Sequence, residues 1–434
     1  MDAYSREMAR YSHALTDLSD LDDLMSVIKD KRIVMLGESS HGTSEFYQWR
    51  KVISLELIKN HQFDFIAVEG DWPACQKLNN FIQTQDEGSI LELLKVFDRW
   101  PTWMWANMEI EDLIFELKLL KTELKRKIGF HGLDVYSLME SVQELKKILP
   151  SVDSSLFQKY FDMFSCFENF HFNEKEYTRS LFGDPEGCQK EVENFCQEIL
   201  HYELKDPLKK DELFEVIQNA HVIKNAQHYY RSMISIDDQS WNIRDQHMME
   251  TLMRLTNHYG PSSKGIVWAH NTHIGDYRGT DMVLRGEVNL GGLAKKRYGE
   301  HHVSLIGLGT FSGTVMASHA WEGPSEVLPL PEARPQSLEY LMHNLSLDTL
   351  PKNFYVLLNE AKMNSALLEF KGHRAIGVVY HPESDRKGHY VPTSLPKRYD
   401  GFIFLDETHP LTPIKQGSSD RKKFPDSFPF GARI

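Results

Sequence analysis

Four short stretches of the chain carry side chains able to move a proton or hold a charge. Glu38 and His41 stand three residues apart in Leu36-Gly37-Glu38-Ser39-Ser40-His41-Gly42. Glu69 and Asp71 fall in Glu69-Gly70-Asp71-Trp72-Pro73, His131 and Asp134 in His131-Gly132-Leu133-Asp134, and His270 and His273 in His270-Asn271-Thr272-His273. Arg50 adds a cation. An imidazole beside a carboxylate suits general-base chemistry. His41 would take a proton from water, and Glu69 or Glu38 would orient the ring and stabilise its charged form, help of roughly 10²–10⁴-fold. Arg50, His270 or His273 would stabilise the oxyanion that forms when that water attacks a carbonyl. The same His/Glu cluster could instead ligate a divalent metal that activates the water. No H-E-x-x-H signature is present, and a cationic Arg50 would repel a metal. A third use is binding without catalysis, with the histidines and aromatics holding a ligand such as haem. Ser39 and Ser40 lie in no G-x-S-x-G elbow, and Gly307-Leu308-Gly309 lacks the third glycine of a dinucleotide fingerprint. Serine nucleophile and nicotinamide chemistry are therefore disfavoured. Each candidate also has a plain structural use: acids after strands cap helices, and an arginine can snorkel to a helix edge.

What unites these residues is where they stand. Each group follows a short apolar run: Ile33–Leu36, Phe65–Val68, Ile128–Phe130 and Gly265–Ala269. Such runs read as buried strands. Between the first two, residues 44–59 keep Phe46, Trp49, Ile53 and Leu57 at helical spacing. Strand, helix, strand is a parallel unit, so the strand ends share one edge, where open α/β sheets bind ligands. Arg50 falls inside the apolar stripe of that helix, an expensive place for a guanidinium unless it is paired or faces a ligand. The aromatic stretch Phe97, Trp100, Trp103, Trp105 could line an apolar cleft. Asp71, Trp72, Trp103, His131 and Asp134 are the substrate-binding candidates.

The expected fold is α/β, a mostly parallel central sheet flanked by helices, with a helical insertion. Residues 1–137 form the first part of the core. Residues 138–258, where helical patterns follow one another without strands, form an insertion placed to act as a lid. Residues 259–414 complete the core with further strands at Val303–Gly307, Phe354–Leu357, Ala375–Val379 and Phe402–Leu405. Residues 415–434 are a polar tail.

At 434 residues, 41% hydrophobic and 26% charged, the composition is that of an ordinary globular chain. A net charge of -13 disfavours nucleic acid as the main partner. No apolar run reaches the length of a membrane span, and the polar N-terminus has no signal-like region. Four cysteines without paired metal spacing fit a reducing cytoplasm and no disulfide framework. A small-molecule partner in the cytoplasm is the expectation.

At these residues the chain resembles the erythromycin esterase family. The matching stretches are Leu36-Gly37-Glu38-Ser39-Ser40-His41-Gly42-Thr43, Ala67-Val68-Glu69-Gly70-Asp71-Trp72-Pro73 and Trp268-Ala269-His270-Asn271-Thr272-His273. Trp100-Pro101-Thr102-Trp103-Met104-Trp105 and the segment Arg398–Thr408 look like family features too. The resemblance implies a water-activating His41 supported by Glu69, with Arg50, His270 and His273 in the site. It also implies hydrolysis of the lactone ester of erythromycin-type macrolides without an obligatory metal.

Overall fold

The computed structural model describes residues 2–414 apart from 86, 203–208, 234–238, 360, 362 and 363. The polar tail expected from residue 415 lies outside them. Among the described residues the strands are β1 (Ser12–Ala14), β2 (Ile33–Leu36), β3 (Phe65–Asp71), β4 (Gly129–Asp134), β5 (Gly265–Trp268), β6 (Val303–Ala317), β7 (Glu326–Leu330), β8 (Phe354–Leu357), β9 (Lys371–Arg374), β10 (Tyr390–Thr393) and β11 (Gly401–Thr408). The central sheet runs β1-β8-β11-β6-β2-β5-β3-β4, with β7 attached to β6. From β11 to β4 the neighbours are parallel, and β8 and β1 close one side antiparallel. The mostly parallel α/β sheet is therefore the fold.

Both faces of the sheet are covered. Val34, Leu36, Ile66, Val68 and Trp268 belong to one core, and Ile33, Met35, Phe65, Ala67 and Val267 to the other. This alternation is the period of two of a strand, and burial on both faces explains why each strand reads as a continuous apolar run. Three helices concern the site. The first, α1 (Ser44–His61), follows β2 and packs Phe46, Ile53 and Leu57 on one face. In the helical region, α2 (Lys210–Met233) joins helices from Leu138 onward in a separate apolar cluster that includes Val142, Phe164, Phe195 and Ala226. That cluster reaches Ile243 in α3 (Ser240–Tyr259), but Met248, Leu252 and Leu255 of the same helix pack on the sheet's other face. So the last helix of the expected insertion is shared with the core.

Three expectations are corrected. Ala375–Val379 is no sheet strand: Ile376 and Val379 make only isolated bridges, to Ser40 and Ser318. The Ile376 N–H donates to the Ser39 carbonyl, so this apolar run covers the strand-end loop instead of joining the sheet. Its neighbour β9 pairs with β10 in a separate two-stranded sheet. Gly307 and Gly309 do not end a strand but lie inside β6, where a side chain at either would meet the Phe402 ring at 2.7 Å. Finally, Cys166 and Cys188 form a disulfide with their Cα atoms 5.9 Å apart, while Cys75 and Cys196 are free and buried. Pairing depends on where the fold brings two cysteines, which spacing alone does not reveal, and the cysteine argument for a reducing compartment falls with it. Among the described residues no helix is long and apolar enough to cross a membrane.

Candidate active site

Register places the chemistry. Leu36 pairs with Trp268, and Trp268 with Val68. Glu38, Glu69 and His270 therefore leave three adjacent parallel strands at the same edge. Gly37 is required there by close approach: a Cβ would stand 2.0 Å from Asn271 Oδ1. Gly42 is crowded likewise, by the Met316 carbonyl at 1.8 Å. The loop between these glycines is pinned by its backbone. Asn271 N–H donates to the Glu38 carbonyl, and the N–H groups of Met316 and Leu411 donate to that of Gly42.

Two linked buried clusters result. In the first, Glu38 Oε1 accepts from His41 Nδ1 at 3.0 Å, and Glu38 Oε2 lies 2.7 Å from Arg50 Nη2. The Arg50 guanidinium also lies over the rings of Tyr47 and Trp268, 4.3 and 4.7 Å from their centroids. With 0% exposure, Arg50 is a fully buried ion-pair partner of Glu38. The stripe position that made this arginine conspicuous in the sequence is thus resolved by pairing.

In the second cluster Glu69 Oε1 accepts from Arg244 Nη2 at 2.6 Å and lies 3.4 Å from His273 Nε2, while Oε2 accepts from the His270 backbone N–H at 2.8 Å. Burial alone would raise the Glu69 carboxyl, but His273, Arg244 and His41 outweigh it and hold the group well below the usual range. Arg244 also donates to both oxygens of Asp134, at 2.9 and 2.6 Å. His273 Nδ1 lies 2.8 Å from Asp245 Oδ2, and the indole of Trp241 stacks on the ring at 4.6 Å. Against the cost of burial, Asp245 and Glu69 raise His273 to about 9. The charged ring donates to Asp245 and Glu69; the neutral ring accepts from Arg244 Nη1 at 2.9 Å.

His270 joins the two clusters, its ring 4.9 Å from that of His41. It caps the short helix Asn271–Ile274, so its Nδ1 accepts from the Thr272 N–H at 3.3 Å. That leaves Nε2 as the protonated nitrogen of the neutral ring. Burial, then the neighbouring His41, hold His270 well below 6.5, so it is neutral at pH 7.

The residues alone leave the support of His41 to Glu69 or Glu38, and the family resemblance implies Glu69. The carboxylate hydrogen-bonded to the ring is Glu38, while Glu69 serves the Arg244–His273 pair. Asp134 comes into the site through Arg244. Asp71 instead accepts from Arg99 Nε at 3.2 Å, and Arg99 reaches Glu140 and Glu174 in the helical region. His131 stacks on Trp72 at 5.4 Å and bonds the Tyr259 hydroxyl at 2.9 Å, and burial lowers it to about 3. Trp72 and Trp103 are likewise buried in the two cores. Arg244, Asp245 and Trp241 were not anticipated. Trp105 is a further support, its indole N–H donating to the Glu69 carbonyl at 3.1 Å. Among the described residues no three His, Cys, Asp or Glu side chains converge as ligands for a metal.

Every polar group of the cluster is 5% exposed or less. The arrangement offers an oriented imidazole, a neutral second imidazole and paired buried charges, the equipment for proton transfer to and from a water or an alcohol.

Comparison with known proteins agrees in kind. The profile described as erythromycin esterase matches residues 58–408, beginning beyond Glu38, His41 and Arg50. The chain is 23% identical over 430 residues to the putative hydrolase YbfO of Bacillus subtilis, covering 91% of this chain and 88% of that one. It is 22% identical to erythromycin esterase type II of Escherichia coli over 334 residues, 71% of this chain and 76% of that one. A solved structure of a mutant of the erythromycin esterase EreC in its open conformation superposes with a TM-score of 0.65 at 17% identity, over 91% of this chain and 95% of that one. At that identity the likeness speaks for the fold alone.

Proposed function

The chain belongs to the erythromycin esterase family, and on that premise we propose that it hydrolyses a carboxylic ester or lactone of a small molecule by water that His41 activates. The observation that carries the reading is the buried Arg50–Glu38–His41 relay at the strand ends. His41 takes a proton from water, and the hydroxide attacks the carbonyl carbon. His41 then returns the proton to the leaving alkoxide as the ester C–O bond breaks. Glu38 holds Nδ1, so Nε2 is the nitrogen that works, and the carboxylate stabilises the imidazolium. Four carboxylates, Glu38, Glu69, Asp134 and Asp245, face Arg50, Arg244 and charged His273, so the proton gained by His41 brings the cluster to formal neutrality. Arg50 is too enclosed to meet substrate and acts as a positioning residue for Glu38. The oxyanion falls to His270, a neutral imidazole protonated at Nε2, beside His41.

Enclosure of the cluster implies that substrate enters only after movement, and the helical region from Leu138 to Met233 is the proposed lid. It is tied to the core by Arg99, which spans Asp71, Glu140 and Glu174. A macrolide lactone is the first substrate to test. Incubated with erythromycin and a panel of simpler esters, the protein should give a product heavier by one water, with chelator or without. His41→Asn should lose at least about 10²-fold in turnover while keeping its circular dichroism. Hydrolysis unchanged in that variant would overturn the assignment of the base. Loss of activity with chelator, restored by metal, would replace the water-activating histidine with a metal.

A further inference from the structure

At the opposite edge of the sheet, where the strands begin, lies a cavity of about 300 Å³. Arg32 immediately precedes β2, and its backbone is locked between the His302 carbonyl and the Gly265 N–H, both at 2.9 Å. Its guanidinium lies 5.1 Å from the centroid of the Tyr298 ring. The Tyr298 hydroxyl is in turn held 3.0 Å from Thr256 Oγ1. Arg32, Arg297 and His302 line the cavity together with Asn257, Met253 and Tyr298, and among the described residues no carboxylate does. Among the described residues neither arginine has an ion-pair partner, and Arg32 Nε is buried without a hydrogen bond. The acid next in sequence, Glu300, is turned to Arg278 at 3.2 Å.

Two guanidinium groups facing one cavity without a counter-ion repel each other, and they do so in a chain whose net charge is -13. An anion relieves that repulsion. The guanidinium fork matches the oxygens of phosphate in geometry, and a buried Nε–H with no acceptor is a donor waiting for one. The size argues for more than an inorganic ion: the space equals roughly ten waters at about 30 Å³ each. Met253 and the Tyr298 ring supply an apolar wall for the remainder.

We propose that this cavity is a binding site for a small organic phosphate, its phosphate between Arg32 and Arg297 and its apolar or aromatic body on Met253 and Tyr298. The site is separate from the histidine cluster. It lies at the far end of α3, whose first turns carry Arg244 and Asp245.

Titration calorimetry of the full chain with phenyl phosphate tests this. One saturable site is expected, weakened at least about tenfold, equivalent to 1.4 kcal/mol, by Arg297→Glu and by Arg32→Gln. Arg297 is exposed, so its variant folds whatever the fate of the Arg32 variant. His41→Asn should leave the affinity unchanged, which separates this site from the esterase centre. Inorganic phosphate should bind more weakly than phenyl phosphate, and equal affinity would remove the organic body from the proposal. Benzoate binding as tightly as phenyl phosphate would reassign the site to carboxylates and overturn the phosphate. No saturable binding, or binding untouched by Arg297→Glu, would overturn the site itself.

Discussion

Replacing Arg244 with methionine isolates the charge that holds the second cluster together. Arg244 donates to both oxygens of Asp134 and to Glu69, and its Nη1 lies 2.9 Å from His273 Nε2. All of these groups are buried. A flexible methionine fills most of the vacated space, so the main loss is electrostatic. Removing one partner of a buried ion pair costs about 3–5 kcal/mol, and here two carboxylates lose the same cation, which places the expectation at the upper end near neutral pH. The pH dependence distinguishes charge from packing. In the native protein Glu69 is held below its ordinary range, so its contribution is present above the unfolded carboxylate value and is lost as pH falls through the folded one. Without Arg244 the Glu69 carboxyl keeps His273 and His41 against the cost of burial but loses one of its cations, so its folded-state value rises from the native one. The folded variant then binds more protons than the folded native protein, so the penalty grows as pH rises from the native folded value to the variant's, by up to about 1.4 kcal/mol per pH unit for that carboxylate. Urea midpoints near pH 3.5 and near pH 7 should show a penalty that grows with pH. Arg244→Met with Asp134→Asn should recover part of it, because one of the two stranded carboxylates is gone. A penalty below about 1 kcal/mol, one that ignores pH, or a double variant no better than the single one would refute the argument, since each outcome means that the carboxylates do not depend on this cation.

Other outcomes follow from the same geometry. Gly37→Ala would place a Cβ 2.0 Å from Asn271 Oδ1, on a side chain that already donates to the Leu308 carbonyl. An overpacking loss of about 1–3 kcal/mol in urea is expected, with turnover falling further as the His41 loop shifts. His273 is raised to about 9, so its stabilising contribution is complete below about 6.5 and is lost as pH rises through about 9. Urea midpoints measured across that window should decline less steeply in His273→Asn than in the native chain. Cys188→Ser opens a cross-link spanning 22 residues and should lower stability by about 3 kcal/mol, and a reducing agent should then have no further effect on the variant.

The residues that could be read in advance were those that simple periodicities expose. Ile33–Leu36 and Phe65–Val68 are buried on both faces, so their apolar runs mark strands without ambiguity, and the acids and histidines after them sit where parallel strands end. Arg50 was conspicuous because it interrupts an apolar helical stripe. Arg244 interrupts one in the same way, standing four, eight and eleven residues before Met248, Leu252 and Leu255. The rule that singled out Arg50 therefore also singles out Arg244 and, beside it, Asp245. In the sequence, residues 238–258 fall within the expected helical insertion and not beside a strand end. What separates the two cases is tertiary: only the fold shows that α3 leaves the helical cluster after Ile243 and lays Met248 onward against the sheet. The choice between Glu38 and Glu69 has a similar origin. The two carboxylates stand at the ends of the strands that flank β5, both near His41, and spacing cannot say which faces the ring. That is decided by the turn at Gly37, tight against Asn271, and by a cation behind each acid, Arg50 for Glu38 and Arg244 for Glu69. In a buried site the partner of a histidine is settled by how each competing carboxylate is itself neutralised. Identifying the buried arginines first, and assigning the acids to them, is the order of inference this cluster supports.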